Sequence, residues 1–167
     1  GLMGSGKSTI GPLLAHELGY HLVDLDQDIE QFAGLSIPDI FSEKGEAAFR
    51  KMEGWLLAKS CQGGGRIIDC GGGVVVSPEN RSLLLSQITI FLSGTPDTLT
   101  QRVGIGEGRP LLNDGAIREQ LLNLLKQREP WYRECAGIVV ETDRKTPAAI
   151  VTEIMSQLDH ILTSGQP

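Results

Sequence analysis

The stretch Gly1-Leu2-Met3-Gly4-Ser5-Gly6-Lys7-Ser8 matches the pattern G-x-x-x-x-G-K-[ST] at every fixed position. Glycines in such a loop let backbone N–H groups curl around phosphate oxygens, and Lys7 reaches the β- and γ-phosphates. Ser8 supplies a hydroxyl group for magnesium. The stretch therefore predicts a nucleoside triphosphate site, whereas a glycine-rich turn that only links a strand to a helix is the structural alternative.

A helix is predicted directly after this loop. Apolar residues recur at helical spacing up to Leu18, and Gly19 supplies a stop, so residues 8–18 should be helical. A central strand normally precedes a loop of this kind, and the given sequence begins on the first glycine of the loop. We therefore expect the first strand of the sheet in residues upstream of Gly1.

Short apolar strands alternate with helical stretches along the rest of the chain. Strands are predicted at 21–25, 66–70, 88–92 and 137–140, and helices at 46–62, 79–86, 96–103, 115–129 and 147–162, with a shorter helix capped by Ser36 and Asp39. This alternation predicts an α/β fold of three layers, with a mainly parallel sheet flanked by helices. With the upstream strand the sheet has five strands, and residues 1–167 form a single domain.

Composition and charge argue against several classes of protein. A chain that is 40% hydrophobic and 22% charged is ordinary for a globular domain, and a formal charge of −6 is unsuited to nucleic acid or an anionic membrane. The three cysteines lack the spacing of a metal site or a disulfide framework, and no apolar run is long enough to span a membrane. We expect a soluble, cytoplasmic, monomeric protein with reduced thiols.

An apolar strand that ends in an aspartate is a second sign of a nucleotide site. The residues Ile67-Ile68-Asp69-Cys70-Gly71-Gly72 resemble a Walker-B element. In that arrangement Asp69 lies beside Ser8 at the magnesium ion.

Three more aspartates, Asp24, Asp26 and Asp28, follow the strand predicted at 21–25. Alternation along that strand would aim Asp24 and Asp26 to the same side, where two carboxylates beside a phosphate favour a metal. The alternative is a solvated acidic turn that caps a helix. Asp28 is expected in the first turn of a helix.

Five motifs follow the loop in order: Asp24-Leu25-Asp26, Phe49-Arg50-x-x-Glu53, Gly71-Gly72-Gly73, Arg109-Pro110-Leu111-Leu112 and Arg128-x-x-x-Tyr132. With them the chain resembles the shikimate kinase family over essentially its whole length. The resemblance implies a P-loop fold like that of the nucleoside monophosphate kinases, and transfer of the γ-phosphoryl group of ATP, with Mg²⁺, to the 3-hydroxyl of shikimate, in the pathway to chorismate and aromatic amino acids. Another small-metabolite kinase of the gluconate kinase type and a non-catalytic nucleotide-binding relative remain as alternatives.

The resemblance also implies which residues hold the nucleotide and the metal. Arg102 and Pro147 match the positions on either side of adenine, and Arg109 swings over the phosphates from a mobile lid at 104–114, whose glycines and charges suit such a loop. The resemblance implies that Asp24 helps to organise magnesium through water, and with Ser8 from the loop motif and Asp69 from the Walker-B pattern it completes the expected metal set. The nucleotide set comprises Gly1, Met3, Gly4, Ser5, Gly6, Lys7, Ser8, Thr9, Arg102, Arg109 and Pro147.

For the acceptor, the resemblance implies a substrate-binding region at about 26–62 together with later elements. Asp26 bonds the ring hydroxyls and is the candidate base, which makes it catalytic with Lys7 and Arg109. Arg50 and Arg128 grip the substrate carboxylate, a planar group that suits guanidinium forks. The remaining acceptor residues are Glu53, which fixes Arg50, the backbone of Gly71, Gly72 and Gly73, and the ring walls Phe41 and Phe49.

Two alternatives and two departures accompany this assignment. Arg50 and Glu53 are also compatible with an exposed i,i+3 pair, and both phenylalanines with plain core residues. Family members often carry a small hydroxyl or apolar residue where Asp69 stands. The adenine loop at 143–147 also differs from the family pattern.

Overall fold

A computed structural model of the chain describes residues 1–106 and 114–164. In chain order the elements are α1 (Lys7–Leu18), β1 (His21–Asp24), α2 (Leu25–Ala33), α3 (Ile37–Ser60), β2 (Arg66–Asp69), a 3-10 turn (Val74–Val76), α4 (Pro78–Leu85), β3 (Ile90–Ser93), α5 (Pro96–Gly106), α6 (Asp114–Cys135), β4 (Ile138–Glu141) and α7 (Pro147–Ser164).

The strands pair in parallel, as the alternation of strands and helices predicts. β1 pairs with β2 from His21 opposite Arg66, and β3 pairs with β4 from Ile90 opposite Ile138. Within the described residues these are two separate two-stranded sheets. The count of five strands and the strand upstream of Gly1 stay predictions.

Neighbouring residues on β2 and β3 pack into different cores, which makes the fold three-layered. Phe91 of β3 packs with apolar residues of α2, α3 and α6, whereas Leu92 packs with residues of α1 and α7. In the same way, Ile68 of β2 packs in the core that contains Phe91, and Ile67 packs in the core that contains Leu92. Because side chains alternate across a strand, α1 and α7 cover one face and the other helices cover the opposite face.

The predicted first helix is confirmed. α1 begins at Lys7 and ends at Leu18, where Gly19 adopts a left-handed conformation with φ 64°. Ser36 caps α3 as predicted, accepting a hydrogen bond from the Asp39 N–H at 3.3 Å. Gly45, with φ 78° and ψ 165°, interrupts α3 and so divides it near the predicted start at residue 46.

The strand that ends in aspartates is shorter than predicted. β1 stops at Asp24, which caps α2, and Asp26 and Asp28 lie in the first turn of that helix. The argument that strand alternation aims Asp24 and Asp26 to one side is therefore wrong. The placement of Asp28 in a first helical turn is confirmed.

The bounds of two helices, α5 and α6, also need correction. α5 continues to Gly106 and α6 begins at Asp114, so both ends of the stretch predicted as a lid at 104–114 are helical. The rest of that stretch lies outside the described residues. α6 also runs through Pro130 to Cys135, although proline normally ends a helix because it lacks an N–H donor.

A cavity of about 450 Å³ lies against both pairs of strands. Its walls include Ile67 and Ile68 of β2, Phe91 and Leu92 of β3, and Gly1. Along the two described stretches, no helix combines the length and the apolarity that a membrane span requires.

Candidate active site

The loop before α1 has a backbone that only glycine tolerates. Gly4 and Gly6 have φ angles of 77° and 98°, in the left-handed region. A Cβ atom on Gly4 would lie 2.7 Å from the carbonyl oxygen of Leu99, so a side chain there would collide with α5. The loop leads directly into α1, whose first N–H groups have no acceptor inside the helix and can bind an anion.

Lys7 folds back over this loop. Its Nζ atom donates to the carbonyl oxygens of Gly1 at 3.0 Å and Leu2 at 3.1 Å. Burial lowers the pKa of Lys7, and the charges of Asp69 and Asp26 oppose that shift. A partly desolvated ammonium group therefore stands at the mouth of the loop, where phosphate oxygens would bind.

Asp69 lies at the end of β2 beside Ser8. Burial raises the pKa of Asp69 most strongly, and the negative charge of Asp24 adds to the increase. The charge of Lys7 and a hydrogen bond from the Ser8 side chain act in the opposite direction. The structure thus brings a hydroxyl group and a carboxylate together at the start of α1.

Asp24 has a structural function of its own. Its Oδ1 atom accepts a hydrogen bond from the Gln27 N–H at 3.0 Å, which caps α2. Asp24 is therefore a helix-capping residue, which was the structural alternative to a metal ligand. Its charge also raises the pKa of Asp26, so the two carboxylates are electrostatic neighbours.

Magnesium fits the donors that are present. Among residues 1–106 and 114–164, no group of three or more His, Cys, Asp and Glu side chains could hold a metal by itself. Mg²⁺ in kinases is bound by one or two protein groups and by substrate phosphates, so a hydroxyl with one or two carboxylates is sufficient. Ser8, Asp69 and Asp24 provide such a set beside the loop.

Asp26 lies against the glycine run that follows β2. A Cβ atom on Gly71 would stand 2.7 Å from Oδ1 of Asp26. Burial raises the pKa of Asp26, the charge of Asp24 adds to this, and Lys7 opposes it. The Asp26 carboxylate thus lies against the Gly71 backbone and within the electrostatic influence of Lys7, where it can accept a hydrogen bond from a hydroxyl group.

The next two glycines contact other parts of the site. A Cβ atom on Gly73 would lie 2.5 Å from Nη2 of Arg50, and one on Gly72 would lie 3.1 Å from the Gly1 carbonyl oxygen. Each of the three glycines therefore allows a close approach that a side chain would prevent. The glycine run connects the nucleotide loop, Asp26 and Arg50.

Arg50 is held by two glutamates of α3. Its Nη1 atom donates to both Glu53 oxygens at 2.9 and 2.8 Å, and its Nε atom donates to Oε1 of Glu46 at 3.3 Å. The Glu53 side chain is 1% exposed and the Arg50 side chain 19%, so the alternative of an exposed pair is wrong. Burial raises the pKa of Glu53, and the hydrogen bond and the charge of Arg50 oppose the increase.

Arg128 approaches the glycine run from α6. Its Nη1 atom donates to the Gly72 carbonyl oxygen at 3.0 Å. Its Nε atom is buried and has no hydrogen-bond partner among the residues that the structure describes. A buried cationic donor of this kind is suited to an anionic ligand.

Phe41 and Phe49 stack with ring centroids 4.7 Å apart. Phe49 is 4% exposed and belongs to the main core, so the core alternative holds for it, whereas Phe41 is 38% exposed. The guanidinium carbon of Arg50 lies 5.0 Å from the Phe49 ring centroid. Phe49 therefore packs against the Arg50 guanidinium, and Phe41 remains accessible to a ligand.

Arg102 joins the loop to the segment between β4 and α7. It donates to the Thr142 hydroxyl at 2.9 Å, to the Thr142 carbonyl at 2.7 Å and to the Gly4 carbonyl at 3.4 Å. Pro147, at the start of α7, follows the same segment. Arg144, which lies between Thr142 and Pro147 in this segment, has φ 57°, a left-handed conformation that is uncommon outside glycine.

Asp143 was not assigned a role from the sequence, yet it fixes this segment. Its carboxylate accepts hydrogen bonds from the Thr95 N–H at 3.1 Å and from the Thr95 hydroxyl at 3.0 Å. Burial acts to raise the pKa of Asp143, but hydrogen bonds from Thr98 and Thr95 outweigh it and lower the pKa. The partners lie 48 residues apart, and no local pattern pairs them.

The other predicted nucleotide residues differ in exposure. Met3, Ser8 and Thr9 are exposed at the loop and at the start of α1. Ser5 is 1% exposed, and its hydroxyl has no partner within the described part of the chain. Arg109, predicted on the lid, lies outside the described residues.

The three-layer fold, the glycine loop and the lysine above it define the chain as a P-loop phosphotransferase. A family model described as shikimate kinase matches residues 3–159. The chain belongs to the shikimate kinase family.

Individual relatives agree with this membership. A shikimate kinase of Dehalococcoides mccartyi is 42% identical over 167 residues, which cover 99% of this chain and 94% of the relative. A solved shikimate kinase of Acinetobacter baumannii, in complex with shikimate, has a TM-score of 0.86 and 33% identity over 100% of this chain and 92% of its own. A solved shikimate kinase of Bacteroides thetaiotaomicron has a TM-score of 0.86 and 27% identity, with 95% of each chain covered.

Proposed function

We propose that this protein transfers the γ-phosphoryl group of ATP to the 3-hydroxyl of shikimate, forming shikimate 3-phosphate and ADP. Family membership supports the reaction class, and the relative from Acinetobacter baumannii was solved with shikimate bound. The product would serve the pathway to chorismate and aromatic amino acids. We also propose that the enzyme works as a cytoplasmic monomer.

One arrangement carries the proposal for the acceptor. Asp26, Arg128 and Arg50 face the consecutive glycines 71, 72 and 73 in that order. Arg128 donates to the Gly72 carbonyl at 3.0 Å, and a Cβ atom on Gly71 or Gly73 would lie 2.7 Å from Asp26 or 2.5 Å from Arg50. A carboxylate and two guanidinium groups around a bare backbone suit a ring that carries hydroxyl groups and a carboxylate. Glu53 supports the proposal because it holds Arg50 through both of its oxygens.

The proposed roles follow from charge and position. Asp26 accepts a hydrogen bond from the attacking hydroxyl group and so orients that hydroxyl toward the γ-phosphate, which Lys7 would bind. Phosphoryl transfer has a loose transition state, so orientation and charge neutralisation do most of the work. Lys7 binds the phosphates and stabilises negative charge that develops during transfer.

Ser8, Asp24 and Asp69 would hold Mg²⁺, which when bound neutralises phosphate charge. In the same proposal Arg102 and Pro147 flank adenine, and Arg109 contributes positive charge to the phosphates by resemblance to the family. Asp69 adds a second carboxylate beside the loop. We expect it to strengthen the hold on the metal because it adds a negative charge beside Ser8, whose side chain favours the charged form of Asp69 by opposing the rise in its pKa that burial causes.

We further propose that the expected upstream strand occupies the cavity beside β2 and β3. Each of these strands has one neighbour in the described structure, and apolar side chains of both line the cavity. A strand that entered there would lead into Gly1 and join the two pairs into one five-stranded sheet. Amide hydrogen exchange tests this proposal. The backbone amides of β2 and β3 should exchange more slowly in a protein that includes the upstream strand than in the chain of 167 residues. Equal exchange rates would contradict it.

Release of ADP in a coupled assay tests the proposed reaction. The wild type, with ATP and Mg²⁺, should release ADP rapidly with shikimate, and only slowly with gluconate or without an acceptor. Lys7→Ala should lower kcat by on the order of a hundredfold or more, while Lys126→Ala, on the exposed side of α6, should not change it. Equal rates with shikimate and gluconate would favour the other class of small-metabolite kinase, and no turnover would favour a non-catalytic relative.

A further inference from the structure

Two side chains of α6 donate to one backbone oxygen in the glycine run. Nη1 of Arg128 donates to the Gly72 carbonyl oxygen at 3.0 Å, and the Tyr132 hydroxyl donates to the same oxygen. Arg128 and Tyr132 are four residues apart on one helix, so they lie on the same face. A carbonyl oxygen has two lone pairs and can accept both bonds.

Packing fixes the position of the Tyr132 hydroxyl. The residue is 3% exposed, and its ring stacks on that of Phe91 with centroids 4.9 Å apart and an interplanar angle of 22°. Burial raises the pKa of Tyr132 to about 12, so the hydroxyl remains a donor at physiological pH. Tyrosine has fewer rotatable bonds than arginine, so of the two donors Tyr132 is the more rigid.

The shared oxygen constrains Arg128. With Nη1 on Gly72, the buried Nε of Arg128 has no partner within the described structure, so it is a buried donor that an anionic ligand can satisfy. A Cβ atom on Gly72 would lie 3.5 Å from the Tyr132 oxygen and 3.1 Å from the Gly1 oxygen, so Gly72 is confined on two sides. The carbonyl that orients Arg128 therefore has little freedom to move.

We propose that Tyr132 is a positioning residue of the acceptor site: by sharing the Gly72 oxygen with Arg128, it sets the direction in which that guanidinium meets a carboxylate. The inference rests on the proposed function and deepens it. Tyr132 itself does not touch the substrate. Loss of its hydroxyl should weaken acceptor binding and leave nucleotide binding and phosphoryl transfer unchanged.

Steady-state kinetics of Tyr132→Phe test the proposal. The KM for shikimate should rise about five- to tenfold, the effect of one hydrogen bond, while kcat and the KM for ATP stay within about twofold of wild type. Phe91→Leu is the matched control, because it removes the stacking partner and keeps the hydroxyl; it should lower the melting temperature and change the KM for shikimate less than Tyr132→Phe does. An unchanged KM for shikimate in folded Tyr132→Phe would overturn the proposal.

A double-mutant cycle with Arg128→Lys asks whether Tyr132 acts through Arg128. Lysine cannot bond Gly72 and present a second fixed donor, so the effect of Tyr132→Phe on shikimate affinity should largely vanish in that background. Titration calorimetry without nucleotide, run below the lowest melting temperature, measures this directly. A full effect in the Arg128→Lys background would overturn the proposal, whereas a wild type inactive toward shikimate would instead refute the proposed function.

Discussion

The carboxylate of Asp26 occupies the space that a side chain on Gly71 would need. The two residues come from different elements, since Asp26 lies in the first turn of α2 and Gly71 follows β2. A Cβ atom on Gly71 would be 2.7 Å from Oδ1 and 3.3 Å from Oδ2 of Asp26. The position of the proposed catalytic carboxylate therefore depends on the absence of a side chain 45 positions later in the chain.

Gly71→Ala should displace Asp26 and lower kcat/KM for shikimate by at least about tenfold, because small misplacements of a reacting group are costly. ATP affinity, measured by calorimetry, should change little. Gly64→Ala is the matched control, since no atom lies within 4 Å of its Cβ position. Equal kcat/KM values for the two alanine variants would contradict the role given to Asp26.

Arg50→Ala and Arg128→Ala should each weaken shikimate binding by about 2–4 kcal/mol, because each removes a partly buried guanidinium from the proposed carboxylate site. Calorimetry with shikimate measures the change. Arg133→Ala removes an arginine that pairs with Glu129 on an exposed part of α6, and it should have almost no effect. Unchanged affinity in Arg50→Ala and Arg128→Ala would assign both residues to structure alone.

Asp69→Ser removes the carboxylate and leaves a small hydroxyl group at this position. We expect activity to require a higher concentration of free Mg²⁺, with the rate at saturation reduced less than the affinity. Asp28→Asn, in the first turn of α2 and outside the proposed metal set, is the control. A dependence on Mg²⁺ identical to that of the wild type would remove Asp69 from the proposed set.

The pH dependence of stability should reveal the bond between Asp143 and Thr95. Because hydrogen bonds lower the pKa of Asp143 below its ordinary 3.8, its contribution to stability is present above that value and is lost as the pH falls through the lowered pKa. The melting temperature of wild type should thus exceed that of Asp143→Asn at neutral pH, and the difference should shrink below a pH of about 3.8. Asp159→Asn, on the exposed side of α7, should show no such trend. A difference that is constant or grows in acid would contradict the assignment.

Local patterns predicted much of the fold because local interactions form it. The loop glycines and the stop at Gly19 are encoded within a few residues, and α1 was predicted to within one residue at its start. A helix whose first turn holds Asp28 was expected, but the bounds of α2 were not predicted, because Asp24, Asp26 and Asp28 resemble a strand end as much as a capped helix. α6 was predicted too short, because Pro130 is tolerated inside it.

The candidate site was predicted in its residues but not in its connections. The resemblance named Asp26, Arg50 and Arg128, whereas the way each meets the glycine run depends on elements far apart in the chain. The bond of Tyr132 to Gly72 spans 60 residues, and the bond of Arg102 to Thr142 spans 40. Such pairs arise from packing of the layers, and no spacing rule for one helix or one strand contains them.

Phosphorus-31 NMR of the reaction products tests the central claim most directly. The purified protein is mixed with ATP, Mg²⁺ and shikimate, and the new phosphorus signals are assigned. We predict one phosphomonoester on the 3-hydroxyl of shikimate, formed in equal amount to ADP, and formed at least about a hundredfold more slowly with Lys7→Ala. Inorganic phosphate in place of the ester, or an ester on another hydroxyl group, would contradict the account.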